Sequence, residues 1–206
     1  TMGKEENKEM EFWTQEEFQA FLDCVADKPI SYYAFEMLYW TGIREGELLA
    51  LTPADFNFEK KTLRINKSYQ RLEGKDVITD PKTPKSNRTI VMPDFLAVEM
   101  EDFISSLYGI KDDDRIFTIS KSYLHHEMDR GAKLAGVKRI RIHGLRHSHI
   151  SLLINLGFSA LAIGERVGHE AVDITYHYAH LFPTVQTDMA AQLETEREAL
   201  VNVRKE

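Results

Sequence analysis

The period of the apolar positions changes twice along the chain. Residues 1–11, TMGKEENKEME, show no hydrophobic period and read as a tag or frayed linker. Thr14 followed by Glu17 forms a capping box ahead of an apolar stripe, with Trp13 and Phe18 set as a hydrophobic staple. The spacing predicts a helix from Thr14 that buries Phe18, Phe21, Leu22 and Val25. A second apolar helix is predicted over 30–40, ending at Thr41-Gly42, and a third over 44–51, stopped by Thr52-Pro53.

Strand signals follow. FNFEKKTLRI, SYQRLEGKDVITD and NRTIVMP carry β-branched and aromatic residues around the turn pairs Lys60-Lys61 and Glu73-Gly74, which predicts a small antiparallel sheet of three strands, with PKTPKS joining the last two. From Pro93 the period is helical again, over 93–108, 121–135, 145–156, 160–167, 171–178 and 185–203. The predicted class is α+β: a mostly helical domain with one small antiparallel three-stranded sheet inserted early.

Composition narrows this little. A chain of 206 residues fits one domain with a small appendage, and 43% hydrophobic with 29% charged residues is ordinary for a globular protein. The one cysteine, Cys24, excludes an internal disulfide framework and points to a reducing compartment, with the cytoplasm as the expected location. The longest apolar stretch, ISLLINLGFSALAIG, is short for a bilayer span and broken by Asn155, Ser159 and glycines, so it predicts two buried helices around a turn.

Charge changes the picture more. A net charge of −7 argues against a nucleic-acid binder, yet Arg130, Lys133, Lys138, Arg139, Arg141 and Arg146 form a run with no acidic residue among them. HGLRHSH, residues 143–149, lies at its end. His143 and His147 are four apart, as in helical zinc sites, but Gly144 stands where a metalloprotease has its glutamate, and Arg146 would repel a divalent cation. An anion suits the set better, since Arg146 offers a planar fork of donors and His143 one more near a helix start. On spacing alone a surface patch remains open.

Other boxes extend the set. TGIREGELLAL puts Arg44 just inside a helix start with Glu47 one turn on, PKTPKSNR puts Lys82 on a hairpin turn, and VGHEAVDITYHYAH puts His169 nine residues before Tyr178. Five phosphate donors and a phenol are an inventory for phosphoryl transfer to tyrosine.

In that order and at those intervals the boxes resemble the catalytic domain of tyrosine recombinases, the integrases of phages and conjugative transposons. The resemblance runs from about Phe12 to the tail. It implies a metal- and cofactor-free site in which Tyr178 is the nucleophile, Arg44 and Arg146 grip the phosphate, and His169 donates to it. Lys82 would protonate the leaving 5′-oxygen, and His143 would accept the phenol proton. His147 and His149 are expected to belong to the supporting helix, and Tyr176 and Lys85 to be decoys for Tyr178 and Lys82.

The implied partners are double-stranded DNA, further copies in a homotetramer on paired sites, and directionality or host bending factors, with no membrane. The expected organisation is a tag or linker over 1–11, the catalytic domain over 12–182, and a helical tail over 183–206 whose Val185, Met189, Leu193 and Leu200 form a stripe for docking in cis or on a neighbour. The resemblance further implies that an upstream DNA-clamping domain belongs to the longer protein. The alternatives are relaxation of DNA in the manner of a type IB topoisomerase, and a non-catalytic DNA-binding relative.

Overall fold

The structure, a computed structural model, describes residues 10–81, 83–183 and 185–203, with side chains to 199. Its first element, α1 (Gln15–Val25), begins as the capping box requires: the Thr14 hydroxyl accepts from the Glu17 amide, and the Glu17 carboxylate accepts from the Thr14 amide at 2.9 Å. The four predicted residues are buried. The staple is arranged differently, because Trp13 packs on Phe21, ring centroids 4.8 Å apart, while Phe18 stacks on Tyr39 at 3.8 Å. Trp13 is fixed instead by its indole, which donates to the Lys138 carbonyl at 2.7 Å.

Helix α2 (Pro29–Thr41) starts on a proline, whose missing N–H costs nothing there, and ends on Gly42 in the left-handed region at φ 66°. A Cβ at Gly42 would lie 2.6 Å from the His149 ring, so only glycine serves both the turn and the close approach. Helix α3 (Glu45–Ala50) follows and is halted before Pro53.

Five strands come next: β1 (Phe56–Asn57), β2 (Thr62–Ile65), β3 (Ser68–Leu72), β4 (Lys75–Thr79) and β5 (Arg88–Val91). The expected three-stranded antiparallel sheet is present as β1-β2-β5, but β3 and β4 form a separate hairpin, so PKTPKS connects two sheets and not two neighbours. The physical reason is that β2 is the central strand, with β1 on one edge and β5 on the other, while β3 lies against α3, where a Cβ at Gly46 would meet the Ser68 hydroxyl at 2.5 Å. Arg115 secures the hairpin from outside, stacked 3.9 Å over the Tyr69 ring and donating to the Leu49 carbonyl at 2.6 Å.

The remaining helices are α4 (Asp94–Ser106), α5 (Lys121–Ala135), α6 (Ile142–Asn155), α7 (Ala160–Val167), α8 (Ala171–Tyr178) and α9 (Gln186–Val203). Two apolar clusters result. The larger joins α1–α5 and the sheet around Phe21, Phe35, Leu48 and Phe117. The smaller joins α6, α7 and α8 through Ile150, Ile154, Ile163, Val167, Ile174 and Tyr178. Side chains of α9 are exposed from 186 to 199, Met189 and Leu193 among them, while Leu200 lies outside the described side chains. Among the described residues no helix is long and apolar enough to cross a membrane.

Candidate active site

Arg44 sits one residue outside α3, as its N-cap, where a position just inside was expected. The reason is Glu47, which accepts from the Arg44 amide at 2.8 Å and thereby closes the helix end, while its other oxygen accepts from the Arg44 guanidinium at 3.0 Å. The same carboxylate takes two bonds of 3.0 Å from Arg88 at the start of β5, so one buried acid aligns two arginines. These bonds outweigh burial and hold Glu47 below its usual range. Arg88 also donates to the Arg166 carbonyl at 2.8 Å, which ties the sheet to the end of α7.

Helix α6 starts at Ile142, earlier than the predicted 145, so all of HGLRHSH is helical. Gly144 permits this, since a Cβ there would lie 2.9 Å from the Glu11 carbonyl. Arg146, one turn in, is 1% exposed. Its guanidinium donates to the carbonyls of Gly42 at 2.7 Å and Val167 at 2.6 Å, and its Nε is buried with no partner among the described residues. No carboxylate among the described residues pairs with it. Burial, with Arg44 adding repulsion, lowers its pKa to about 9.

His169 is placed by the end of α7. Gly168 takes φ 74° with a would-be Cβ 3.0 Å from the Lys85 carbonyl, and the His169 amide donates to the Gly164 carbonyl at 2.9 Å. Arg44, Lys85, His143 and His169 line one cleft between the hairpin, α3, the start of α6 and the start of α8. His143 is pulled below its ordinary pKa by desolvation and then by Arg146 and Arg44; His169 is pulled to about 4 by desolvation and the same arginines. Lys82 lies outside the described residues. Lys85, the expected decoy, pairs with Glu170.

Tyr178 closes α8 with its ring in the smaller apolar cluster, 3% exposed, whereas Tyr176 is 82% exposed. The Tyr178 hydroxyl is hydrogen-bonded to His147 Nδ1. His147 packs edge-on against His143, ring centroids 4.8 Å apart, so the phenol stands one histidine behind the cleft wall. Burial raises Tyr178 far above the usual phenol value despite Arg146 nearby. Desolvation, then His143, Arg146, His169 and His177, push His147 down to about 4. His149 does belong to the scaffold, buried and accepting from Arg166 at 3.0 Å.

Of the six expected residues, then, Arg44, His143 and His169 share the cleft, Arg146 lies buried beside them, and Tyr178 lies behind His147. His147 was assigned only to support, although its spacing of four from His143 already put both on one face. Arg88 was not singled out, yet its strand alternates buried and exposed with Arg88 and Ile90 inward, a pattern that makes a buried arginine in need of an acid.

The sequence model of the Phage integrase family matches residues 11–184. The chain is 32% identical over 202 residues to the ICEBs1 integrase of Bacillus subtilis (strain 168), covering 91% of this chain and 55% of that protein. It is 30% identical over 179 residues to the integrase of Staphylococcus phage L54a, covering 78% and 51%. It thus spans about half the length of these curated relatives. Among solved structures, the Tn1549 transposon integrase in complex with a circular intermediate DNA superposes with a TM-score of 0.75 at 21% identity, over 95% of this chain and 68% of that one. The catalytic domain of bacteriophage HP1 integrase gives 0.63 at 20%, over 89% and 95%. A match over nearly the whole chain, with the arginines, histidines and tyrosine of its boxes gathered around one cleft, places this chain in the phage integrase family of tyrosine recombinases.

Proposed function

We propose that this chain is the catalytic domain of a site-specific DNA recombinase that cuts and rejoins strands through a 3′-phosphotyrosine. The observation that carries this is a cleft presenting Arg44, His143 and His169, backed by the buried Arg146 and by Tyr178. Tyr178 attacks a DNA phosphodiester and leaves a free 5′-hydroxyl, and the phosphotyrosine conserves the bond energy for religation without ATP or metal. Arg44 and Arg146 hold the nonbridging oxygens, where negative charge grows in the transition state. Arginine suits this because its fork is planar and always charged. His169 donates to the same phosphate, and Lys82 serves as acid for the 5′-oxygen.

Arg146 supports the reading by what it lacks. A cation buried with no carboxylate partner among the described residues gains most from an arriving anion, so a phosphate is its natural counter-charge. The partner is double-stranded DNA, a reading supported by the fold shared with the Tn1549 integrase, whose structure is a complex with a circular intermediate DNA. The exposed apolar residues Met189 and Leu193 on α9 suit docking on a neighbouring protomer in a tetramer, with bending or directionality factors as further partners.

The test uses nicked duplexes in EDTA. A denaturation-resistant protein–DNA adduct should form, and an added strand with a 5′-hydroxyl should be joined as the adduct disappears. Hydrolysis to a free 3′-phosphate, or cleavage with no adduct, would exclude the phosphotyrosine route.

A further inference from the structure

Among the described residues neither His143 nor His169 is hydrogen-bonded to the phenol. The ring that meets it is His147, one helical turn after His143 on the same face of α6, with its centroid 5.8 Å from that of Tyr178. His143 sits at the cleft wall, where a phosphate would lie, and His169 lines the same wall. A proton acceptor must be within hydrogen-bond reach of the proton it takes, and among the described side chains His147 is the one bonded to the Tyr178 hydroxyl.

Resting on the strand-transfer reading, we propose that His147 is a catalytic residue that accepts the Tyr178 proton at Nδ1 during attack. The Oη–H bond breaks as Oη bonds to phosphorus, and the proton passes to Nδ1. The P–O5′ bond breaks with its electron pair leaving on the 5′-oxygen, which is protonated by the site's general acid. In religation His147 returns its proton to Oη as the phosphotyrosine bond breaks.

The surroundings fit a base that is empty before the reaction. The groups acting on His147 include His143 and Arg146 from its own helix, His169 beyond α7 and His177 from α8, beside the Tyr178 hydroxyl itself. Together with desolvation they keep the imidazole neutral at pH 7, its lone pair available for the hydroxyl. A bound phosphodiester sets a negative charge against Arg146, so His147 becomes more basic as substrate arrives. Acceptor strength is thereby coupled to occupancy of the cleft.

Two measurements test this. In free protein at pH 7.5, nitrogen-15 NMR of the histidines should show His147 protonated on Nε2 with Nδ1 bare, and Tyr178→Phe should shift that Nδ1 signal. In single-turnover adduct formation from a pool of nicked duplexes of randomised sequence, His147→Ala and His147→Asn should each slow the reaction by about 10²-fold or more without weakening DNA retention. Asn keeps an acceptor near Nδ1 but cannot take a proton, so its defect separates base from hydrogen-bond support. Added imidazole should partly restore His147→Ala, and the variants should lose the acid limb of the wild-type pH–rate profile.

A proton found on Nδ1, or His147→Asn reacting within about threefold of wild type, would overturn the assignment. If His147→Ala does not fold, the NMR result and the Asn variant decide. No adduct from wild type would sink the strand-transfer reading itself, whereas adduct from wild type and variants alike would remove only His147.

Discussion

Two groups of buried charge show how differently this domain treats its scaffold and its site. In the scaffold, Glu127 of α5 accepts from Arg130 at 2.8 Å, Lys28 at 2.6 Å and the Ser31 hydroxyl at 2.8 Å, and Arg130 reaches Asp27 at 2.9 Å. Burial would raise that carboxyl, but these bonds outweigh it and hold it at about 2. In the site, Arg146 has only carbonyl partners among the described residues, and His147 and His169 are held neutral by burial and by neighbouring cations. One set is complete within the chain. The other is short of negative charge, which is the condition of a site awaiting an anion.

The sharpest way to break that contrast is at Glu47, the acid that pairs with Arg44 and Arg88 and makes no hydrogen bond to Arg146. Glu47→Ala should destabilise the fold by about 3–5 kcal/mol, because it strands Arg88 in the interior, whereas Glu127→Ala should cost about 1–3 kcal/mol since its partners reach solvent. Urea denaturation of both variants measures this, and equal losses would erase the distinction. Arg146→Lys should lower adduct formation by about 10²–10³-fold, as for removal of a preorganised donor from a phosphate site, while DNA retention changes little. A stopped-flow or quench assay of adduct yield against time reads it.

Acid should separate the two regions. His147 and His169 sit near 4 and His149 near 3 when folded, against about 6.5 unfolded, so the unfolded chain binds the extra protons. Their contribution is complete above about pH 6.5 and is lost as pH falls toward 4 and 3. That of Glu127 is complete above about pH 4.5 and is lost toward 2. Glu36 has the opposite sign: burial and then Glu99 raise it to about 7, so its contribution is complete below about pH 4.5 and lost as pH rises through 7. Between pH 7.5 and 5, rate-corrected hydrogen exchange should therefore show α6–α8 losing protection while α1 and α5 keep theirs. Uniform loss would contradict it.

The smallest expected effect is the anion itself. Millimolar inorganic phosphate should raise the melting temperature by a few degrees, about 1.4 kcal/mol at tenfold excess over Kd, and the rise should vanish in Arg146→Met. A rise of the same size in that variant would move the anion elsewhere.

Local signals were the readable part of this fold. The Thr14 capping box starts α1 and Gly42 ends α2 as expected, and the 3.6 period gives α5, α7 and α8 their observed bounds, because those features act within a few residues. The separation of β3-β4 from the sheet was not readable, since it depends on β5 returning past the hairpin to take the second edge of β2. The basic run over 130–146 is less free than its composition implies. It contains no acid, but Arg130 is neutralised by Asp27 and Glu127, Arg139 by Asp129, and Arg146 is buried. Motif spacing named the residues of the cleft, while the contact between His147 and Tyr178 is set by how α8 packs on α6.

The most direct test of the account is to digest the covalent protein–DNA adduct and locate the nucleotide-bearing peptide by mass spectrometry. The account predicts the modification on Tyr178, the buried tyrosine bonded to His147, and its loss in Tyr178→Phe. A modified Tyr176, the exposed tyrosine two residues before it, would contradict the assignment of Tyr178 as nucleophile and of His147 as its base.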